Sequence, residues 1–265
     1  MISPELSRRV EAACSAVVAQ IDFLHAQFGR VESKWKSDGT RVTAADIAIS
    51  ENIFRELGGH FPEDQYFSEE LSDSTGPIAL TSPFAWILDP IDGTNNFALG
   101  IPHCAISLAL LENGEPVYGV VYDLGRRSLM RGGPEFGAWD GTKACHVSTG
   151  PMNKESLIGF HSPFDKTLVS RAQGVLSNFK IRSLGSATLH LAYVAAGLLD
   201  GSVDYNVKIW DLAAAIPLCR AAGGQVKFLN GEQLPVRRFD LHMGRIIYAA
   251  GSPAMCAKLV ELYQT

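Results

Sequence analysis

The chain has no cysteines at C-x-x-C spacing and no histidines at H-x-H or H-E-x-x-H spacing. Its five cysteines, Cys14, Cys104, Cys145, Cys219 and Cys256, are odd in number and scattered. A disulfide framework is therefore not expected, and reduced, buried thiols are. The seven histidines give zinc chemistry no support. Clustered Lys and Arg are also missing, and the net charge is −5. Nucleic acid is thus not expected as the main partner, because phosphate backbones are held by grouped basic side chains. The longest apolar stretch, Leu184 to Leu199, is interrupted by His190 and small polar residues. The start, Met1 to Arg9, has no apolar core behind a basic end. Neither a membrane span nor a secretory leader is expected, and the location implied is cytoplasmic. With 46% hydrophobic residues in 265, the chain can bury a substantial core as one large domain or two modest ones.

Val10, Cys14, Val17, Ile21, Leu24 and Phe28 recur in steps of four and three, which predicts one long helix from Ser3-Pro4 to Gly29. Thr43-Ala44-Ala45-Asp46 reads as an N-cap with an acid at the third helical position. It opens a helix through Leu57, ended by Gly58-Gly59, with Ile47, Phe54 and Leu57 facing inward. From Gln65 to Gly141 the texture changes to short apolar runs: Tyr66-Phe67, Phe84 to Leu88, Cys104 to Leu111, Val117 to Tyr122 and Ser128 to Arg131. Asn113-Gly114 and Asp140-Gly141 are turn dipeptides, so consecutive runs read as antiparallel strands.

Beyond residue 148 strands and helices alternate: a strand at Leu157 to Phe160, helices near Asp165 to Asn178 and Ser186 to Ala196, and a strand around Val203 to Tyr205. A helix from Leu212 to Ala222, strands near Val226 and Ile246, and a helix from Pro253 complete the pattern. Two units are expected, 1–148 with helices and an antiparallel sheet, and 149–265 as a second α/β unit closing the site. No repeat or low-complexity linker separates them, so they should pack closely.

The stretch Trp86 to Phe97, WILDPIDGTNNF, runs a buried strand into two aspartates. Pro90 cannot donate to a ladder, so the strand is expected to end there, with Asp89 at its end and Asp92 in the turn. Gly93-Thr94 then opens a segment whose free N–H groups can receive an anion. Glu69-Glu70 and Asp211 likewise sit at the ends of apolar runs. Read singly, Asp211 is an N-cap, Glu70 a solvated charge and Asp92-Gly93 a turn. If Glu69, Asp89, Asp92 and Asp211 converge, like charges about 4 Å apart at an effective dielectric near 20 repel by roughly 4 kcal/mol per pair. A hard divalent cation removes that penalty, and oxygen-only ligands favour Mg²⁺ over zinc. Such ions can polarise a phosphoryl oxygen and acidify a water, which points to phosphate-ester hydrolysis.

The ordered motifs Val42-Thr43-Ala44-Ala45-Asp46, Ser68-Glu69-Glu70, Trp86 to Phe97, Gly185-Ser186-Ala187 and Trp210-Asp211-Leu212-Ala213-Ala214, leading to Ala222-Gly223-Gly224, span nearly the whole chain. Through them the sequence resembles the inositol monophosphatase family of Mg²⁺-dependent, lithium-sensitive phosphatases. The resemblance implies an α/β (α+β) fold, a layered αβαβα sandwich. It implies two or three Mg²⁺ ions, with Glu69, Asp89 and the Ile91 carbonyl holding the first and Asp89, Asp92 and Asp211 the second. Glu69 and Thr94 would activate the attacking water, with Asp46 supporting Thr94. The phosphate would lie against Asp92, Gly93, Thr94 and Asp211, and the alcohol portion of the substrate against Gly185, Ser186, Ala187 and Asp204. A homodimer is also implied.

The sequence departs from the commonest family pattern at Ser68, where Gly usually stands, and at Asp204, where Glu is common. Pro217, six residues after Asp211, is a feature of some histidinol-phosphate phosphatases of the family. Inositol 1-phosphate is the default substrate. Histidinol phosphate is the main alternative, with fructose 1,6-bisphosphate and 3′-phosphoadenosine 5′-phosphate behind it. Two other readings compete. D-x-D-G-T also opens haloacid-dehalogenase-type phosphatases, but here Pro90 and Ile91 separate the acids by two residues, which breaks the period-2 geometry. A non-catalytic regulatory protein on this fold would be marked by a lost metal carboxylate, and none is missing.

Overall fold

The computed structural model describes residues 2–35, 41–70, 76–162 and 165–264. Ser3 caps helix α1 (Pro4–Val18), its hydroxyl accepting the Leu6 N–H at 3.1 Å. Pro4 occupies the first turn, where its missing N–H is not needed. The expected single long helix breaks at Ala19-Gln20 and resumes as α2 (Ile21–Gln27). The Gln20 N–H closes onto Val17 O at 3.1 Å, a tighter turn that ends the ladder, while the buried Gln20 side chain accepts from Asn52 Nδ2. Both helices face one core, so the apolar spacing runs through the break unchanged.

Strands β1 (Ser33–Trp35) and β2 (Arg41–Thr43) pair antiparallel and lead into α3 (Ala44–His60). The Thr43 N–H and hydroxyl donate to Asp46 Oδ2 at 2.8 and 2.6 Å, the expected capping box. Gly58-Gly59 does not stop this helix, which runs on to His60. Its inward face is Ile49, Ile53 and Leu57, spaced by four; Ile47 is exposed and Phe54 only partly buried, contrary to the sequence reading for those two.

The larger sheet contains β3 (Gln65–Ser68), β5 (Phe84–Asp92), β6 (Ala105–Glu112), β7 (Glu115–Asp123), β8 (Ser128–Gly133), β9 (Gly137–Asp140) and β10 (Lys143–Ala144). A short strand β4 (Ile78–Ala79) lies between β3 and β5 in sequence, and helix α4 (Thr94–Leu99) follows β5. Neighbours are antiparallel except β3 and β5, which run parallel from Gln65–Ala85 to Ser68–Leu88. That one parallel pair brings two strand ends together, with the Glu69 N–H on Leu88 O at 3.3 Å.

The strand end expected at Pro90 from its missing donor is not found. The strand continues to Asp92 through a register shift between Asp89–Ser107 and Asp92–Ala105. A bulge leaves a residue out of the ladder, which is where a proline is tolerated inside a sheet.

The second sheet has the order β12 (Lys180–Arg182), β11 (Leu157–Phe160), β13 (Gly201–Val207), β16 (Ile246–Gly251), β14 (Gln225–Phe228). Helices α5 (Val169–Asn178), α6 (Ala187–Ala195), α7 (Ile209–Leu212), α8 (Ala215–Ala221) and α9 (Pro253–Gln264) accompany it, and β15 (Arg238–Phe239) pairs with β4. The strands β12 and β15 were not anticipated from the sequence. The helix expected over Leu212 to Ala222 is split into α7 and α8, and Pro217 falls in the first turn of α8. Without an N–H, Pro217 cannot bond the Ala213 carbonyl, and the ladder is interrupted there.

Three apolar clusters define the layers. Helices α1 and α3 cover one face of the larger sheet through Trp86, Leu88 and Ile106. Helices α6 and α8 fill the space between the sheets, against Ala85, Ile87 and Ala109 on one side and Tyr248 and Ala250 on the other. Helices α5 and α9 cover the outer face of the second sheet. The result is the layered αβαβα sandwich that the resemblance implied.

Candidate active site

Glu69 follows β3, Asp89 lies in β5 and Asp211 lies in α7, and one carboxylate oxygen from each falls within 4.8 Å of the others. The parallel β3–β5 pair delivers the first two. Asp211 is held by the turn that opens α7, where its Oδ2 accepts the Lys208 N–H at 2.6 Å. Burial pushes the Asp89 carboxyl well above the usual carboxylate range, and the charges of Glu69 and Asp92 push it further. Burial, Asp92 and Glu69 do the same to Asp211. Three crowded acids with no histidine or thiol among them are a donor set that fits a hard divalent cation such as Mg²⁺.

Asp92 lies beside that trio, and its charge raises both the Asp89 and the Asp211 carboxyl. Its Oδ2 is engaged elsewhere, accepting from Ser186 Oγ at 2.5 Å and from the Thr188 N–H at 2.6 Å. Asp92 therefore docks the N-terminus of α6 onto β5, while its charge still reaches Asp211 and Asp89.

Thr94 begins α4, and its hydroxyl lies 2.9 Å from the Ile91 carbonyl and 3.2 Å from Asp46 Oδ1. Asp46 is thus brought to Thr94 from the first turn of α3. Burial pushes the Asp46 carboxyl up to about 6, against the hydrogen bonds from Thr43 and Thr94. Gly93 precedes α4 with φ +88, and a Cβ there would lie 2.8 Å from His103 O and 3.1 Å from Gly185 O. Only glycine fits this left-handed, crowded turn. Its N–H and those of the first turn of α4 have no partners within the helix, as at any helix start.

The alcohol-side residues fare differently. Gly185 is exposed, but Ser186 and Ala187 are buried, and Ser186 acts as N-cap of α6, accepting the Leu189 N–H at 3.2 Å. Asp204 has 0% exposure and lies against His190 Nδ1 at 3.2 Å and the Tyr248 hydroxyl at 3.0 Å. The Ser186 and Asp204 side chains thus meet protein neighbours at close range.

The sequence reading missed the residues behind the site. Asn96 Nδ2 donates to His103 O and Leu184 O, both at 2.8 Å, and ties α4 to the segment before α6. Thr188 Oγ1 donates to the Asp211 carbonyl at 2.8 Å. His190, the polar interruption of the apolar run 184–199, was visible in the sequence; its partners were not.

Comparison with known proteins identifies the arrangement. The inositol monophosphatase family matches residues 5–264. An inositol-1-monophosphatase, ImpA, of Mycolicibacterium smegmatis is 36% identical over 256 residues, covering 89% of this chain and 85% of its own. Nus factor SuhB of Pasteurella multocida is 35% identical over 214 residues, 76% of each chain. The crystal structure of extragenic suppressor protein SuhB from Bartonella henselae superposes with a TM-score of 0.84 at 30% identity, covering 96% of this chain and 98% of that one. The protein belongs to the inositol monophosphatase family. That membership sets aside the haloacid-dehalogenase reading of the Asp89 motif.

Proposed function

We propose that the protein is a Mg²⁺-dependent phosphomonoesterase that hydrolyses a small polyol phosphate, inositol 1-phosphate by preference, to the free alcohol and phosphate. The observation that carries this reading is the trio of Glu69, Asp89 and Asp211 within 4.8 Å, with Thr94 and the Gly93 turn on the same strand's end. Glu69, Asp89, the Ile91 carbonyl, Asp92 and Asp211 would hold Mg²⁺. When bound, the cation supplies neutralisation of these carboxylates, polarisation of the phosphoryl group and a more acidic water. The chain's own residues do the rest. The Gly93 and Thr94 N–H groups receive the phosphate at the start of α4. The Thr94 hydroxyl, its one proton directed to the Ile91 carbonyl at 2.9 Å or Asp46 Oδ1 at 3.2 Å, keeps a lone pair for the attacking water, and Glu69 takes that water's proton.

Phosphate release decides the matter, measured with Mg²⁺ on inositol 1-phosphate, histidinol phosphate, fructose 1,6-bisphosphate and 3′-phosphoadenosine 5′-phosphate. Highest kcat/KM on inositol 1-phosphate is expected, and activity on none of the four would overturn the proposal. The name of the Pasteurella relative, a Nus factor, raises a second reading in which binding to a partner matters more than catalysis. The complete carboxylate set favours catalysis. The reading includes a cytoplasmic homodimer, checked by light scattering on the purified protein. Among the described residues no helix is long and apolar enough to cross a membrane.

A further inference from the structure

His190 and Asp204 are both fully buried, in an inner helix made otherwise of alanine, leucine and other small or apolar residues and in the strand beneath it. A histidine in such surroundings is costly unless its ring nitrogens are used. Both are. The Leu184 N–H donates to His190 Nε2 at 3.0 Å, so Nε2 is an acceptor and the ring proton sits on Nδ1. That proton faces Asp204 Oδ2 at 3.2 Å, and the same oxygen receives the Tyr248 hydroxyl at 3.0 Å.

The Leu184 peptide is gripped from its other side as well, its carbonyl accepting Asn96 Nδ2 at 2.8 Å. Two residues further on, Ser186 Oγ donates to Asp92 Oδ2 at 2.5 Å, and the Thr188 N–H reaches the same oxygen at 2.6 Å. Hydrogen bonds thus tie Asp204 to His190 and His190 to the Leu184 N–H, and two residues of backbone carry that anchor to Ser186, whose hydroxyl bonds Asp92.

We infer that His190 and Asp204 are positioning residues: through Leu184 and Ser186 they fix Asp92 behind the carboxylate trio, and Asp204 does not read the substrate's hydroxyl groups. The inference rests on the phosphatase reading above. One observation offers a rival. Asp204 Oδ1 and His161 Nδ1 are buried without hydrogen-bond partners, and His161 stands one residue past the last β11–β13 pair, Phe160 with Val203. A substrate hydroxyl could bridge two such atoms. The zero exposure of Asp204 opposes that arrangement, and the two assignments make different predictions.

The experiment compares inositol 1-phosphate with phenyl phosphate, which has no further hydroxyl, and titrates Mg²⁺ into the ion-free protein by calorimetry. His190→Leu and Asp204→Ala should lower kcat about tenfold on both substrates alike, the scale of one lost hydrogen bond to a charged group. They should also weaken Mg²⁺ binding several-fold. Asp204→Asn, whose amide oxygen can accept from His190 and Tyr248, should recover most of the loss. Asn96→Ala, which frees the opposite side of the Leu184 peptide, should reproduce the pattern and decides the matter if the two buried variants do not fold. Unchanged kcat and Mg²⁺ affinity in folded variants would overturn the inference. So would a rise in KM confined to inositol 1-phosphate, which would make Asp204 a substrate contact. Should the unaltered protein hydrolyse neither these esters nor the other three phosphates named above, the phosphatase reading fails, while the Mg²⁺ titrations still judge the positioning residues.

Discussion

Replacing Asp89 with asparagine should make the ion-free protein more stable while removing its activity. Asp89 is 2% exposed and one of its oxygens lies within 4.8 Å of an oxygen from both Glu69 and Asp211. Two unit charges at 4.8 Å and an effective dielectric near 20 repel by roughly 3.5 kcal/mol. The ion-free protein relieves part of this by holding protons, which is what the raised Asp89 and Asp211 carboxyls express. The gain from Asp89→Asn is therefore smaller, about 1–2 kcal/mol, or a rise in Tm of about 2–8 °C for a chain of this size. The amide oxygen keeps the hydrogen bond from the Ile91 N–H to Asp89 Oδ1 at 3.1 Å, and the amide N–H can donate to Asp211 in place of the shared carboxyl proton. Thermal unfolding in chelator, then at rising Mg²⁺, is the assay. Unaltered protein should gain stability with Mg²⁺, because a ligand that binds only the folded state adds to its free energy, and the variant should gain much less. An Asp89→Asn protein that melts no higher than the unaltered one in chelator, or gains as much from Mg²⁺, would refute the electrostatic argument.

Thr94→Ala should lower kcat about 100-fold, the scale of a positioned proton-transfer group, while Thr94→Ser keeps most of the activity; steady-state kinetics on the best substrate checks both. Asp46 supplies a pH test on the ion-free protein. Its carboxyl is raised from 3.8 to about 6, so the folded state binds this proton more tightly than the unfolded chain. Its contribution to stability is therefore largest below about pH 4 and is lost as pH rises through about 6. Urea unfolding from pH 4 to 7 should show a shallower decline in Asp46→Asn than in the unaltered protein, and parallel curves would count against the assignment. Gly93→Ala should cost about 1–3 kcal/mol by urea unfolding, because φ is +88 and the added Cβ would meet His103 O at 2.8 Å.

The sequence by itself determined the family and much of the scaffold. Glu69, Asp89, Asp92 and Asp211 stand at or just past the ends of apolar runs, and that pattern was enough to ask whether they converge on a hard cation. The Thr43–Asp46 capping box and the Leu157 to Phe160 strand were equally legible, because a cap and a short apolar run are local features. Tertiary structure decided the rest. Pro90 was read as a strand end since its missing donor is a local fact, but β6 on one side and the bulge between Asp89 and Asp92 let β5 continue. The first helix broke at Gln20 because a side chain from α3 receives that turn, a contact that no periodicity records. Asp92 and Asp204 carry the same lesson into the site. Their carboxylates were expected to meet metal and substrate, and each is also held by distant residues of the chain, Asp92 by Ser186 and Thr188, 94 and 96 places away, and Asp204 by His190 and Tyr248. A charge in a sequence announces that a partner is needed; which partner it finds is settled by the packing of elements far apart along the chain.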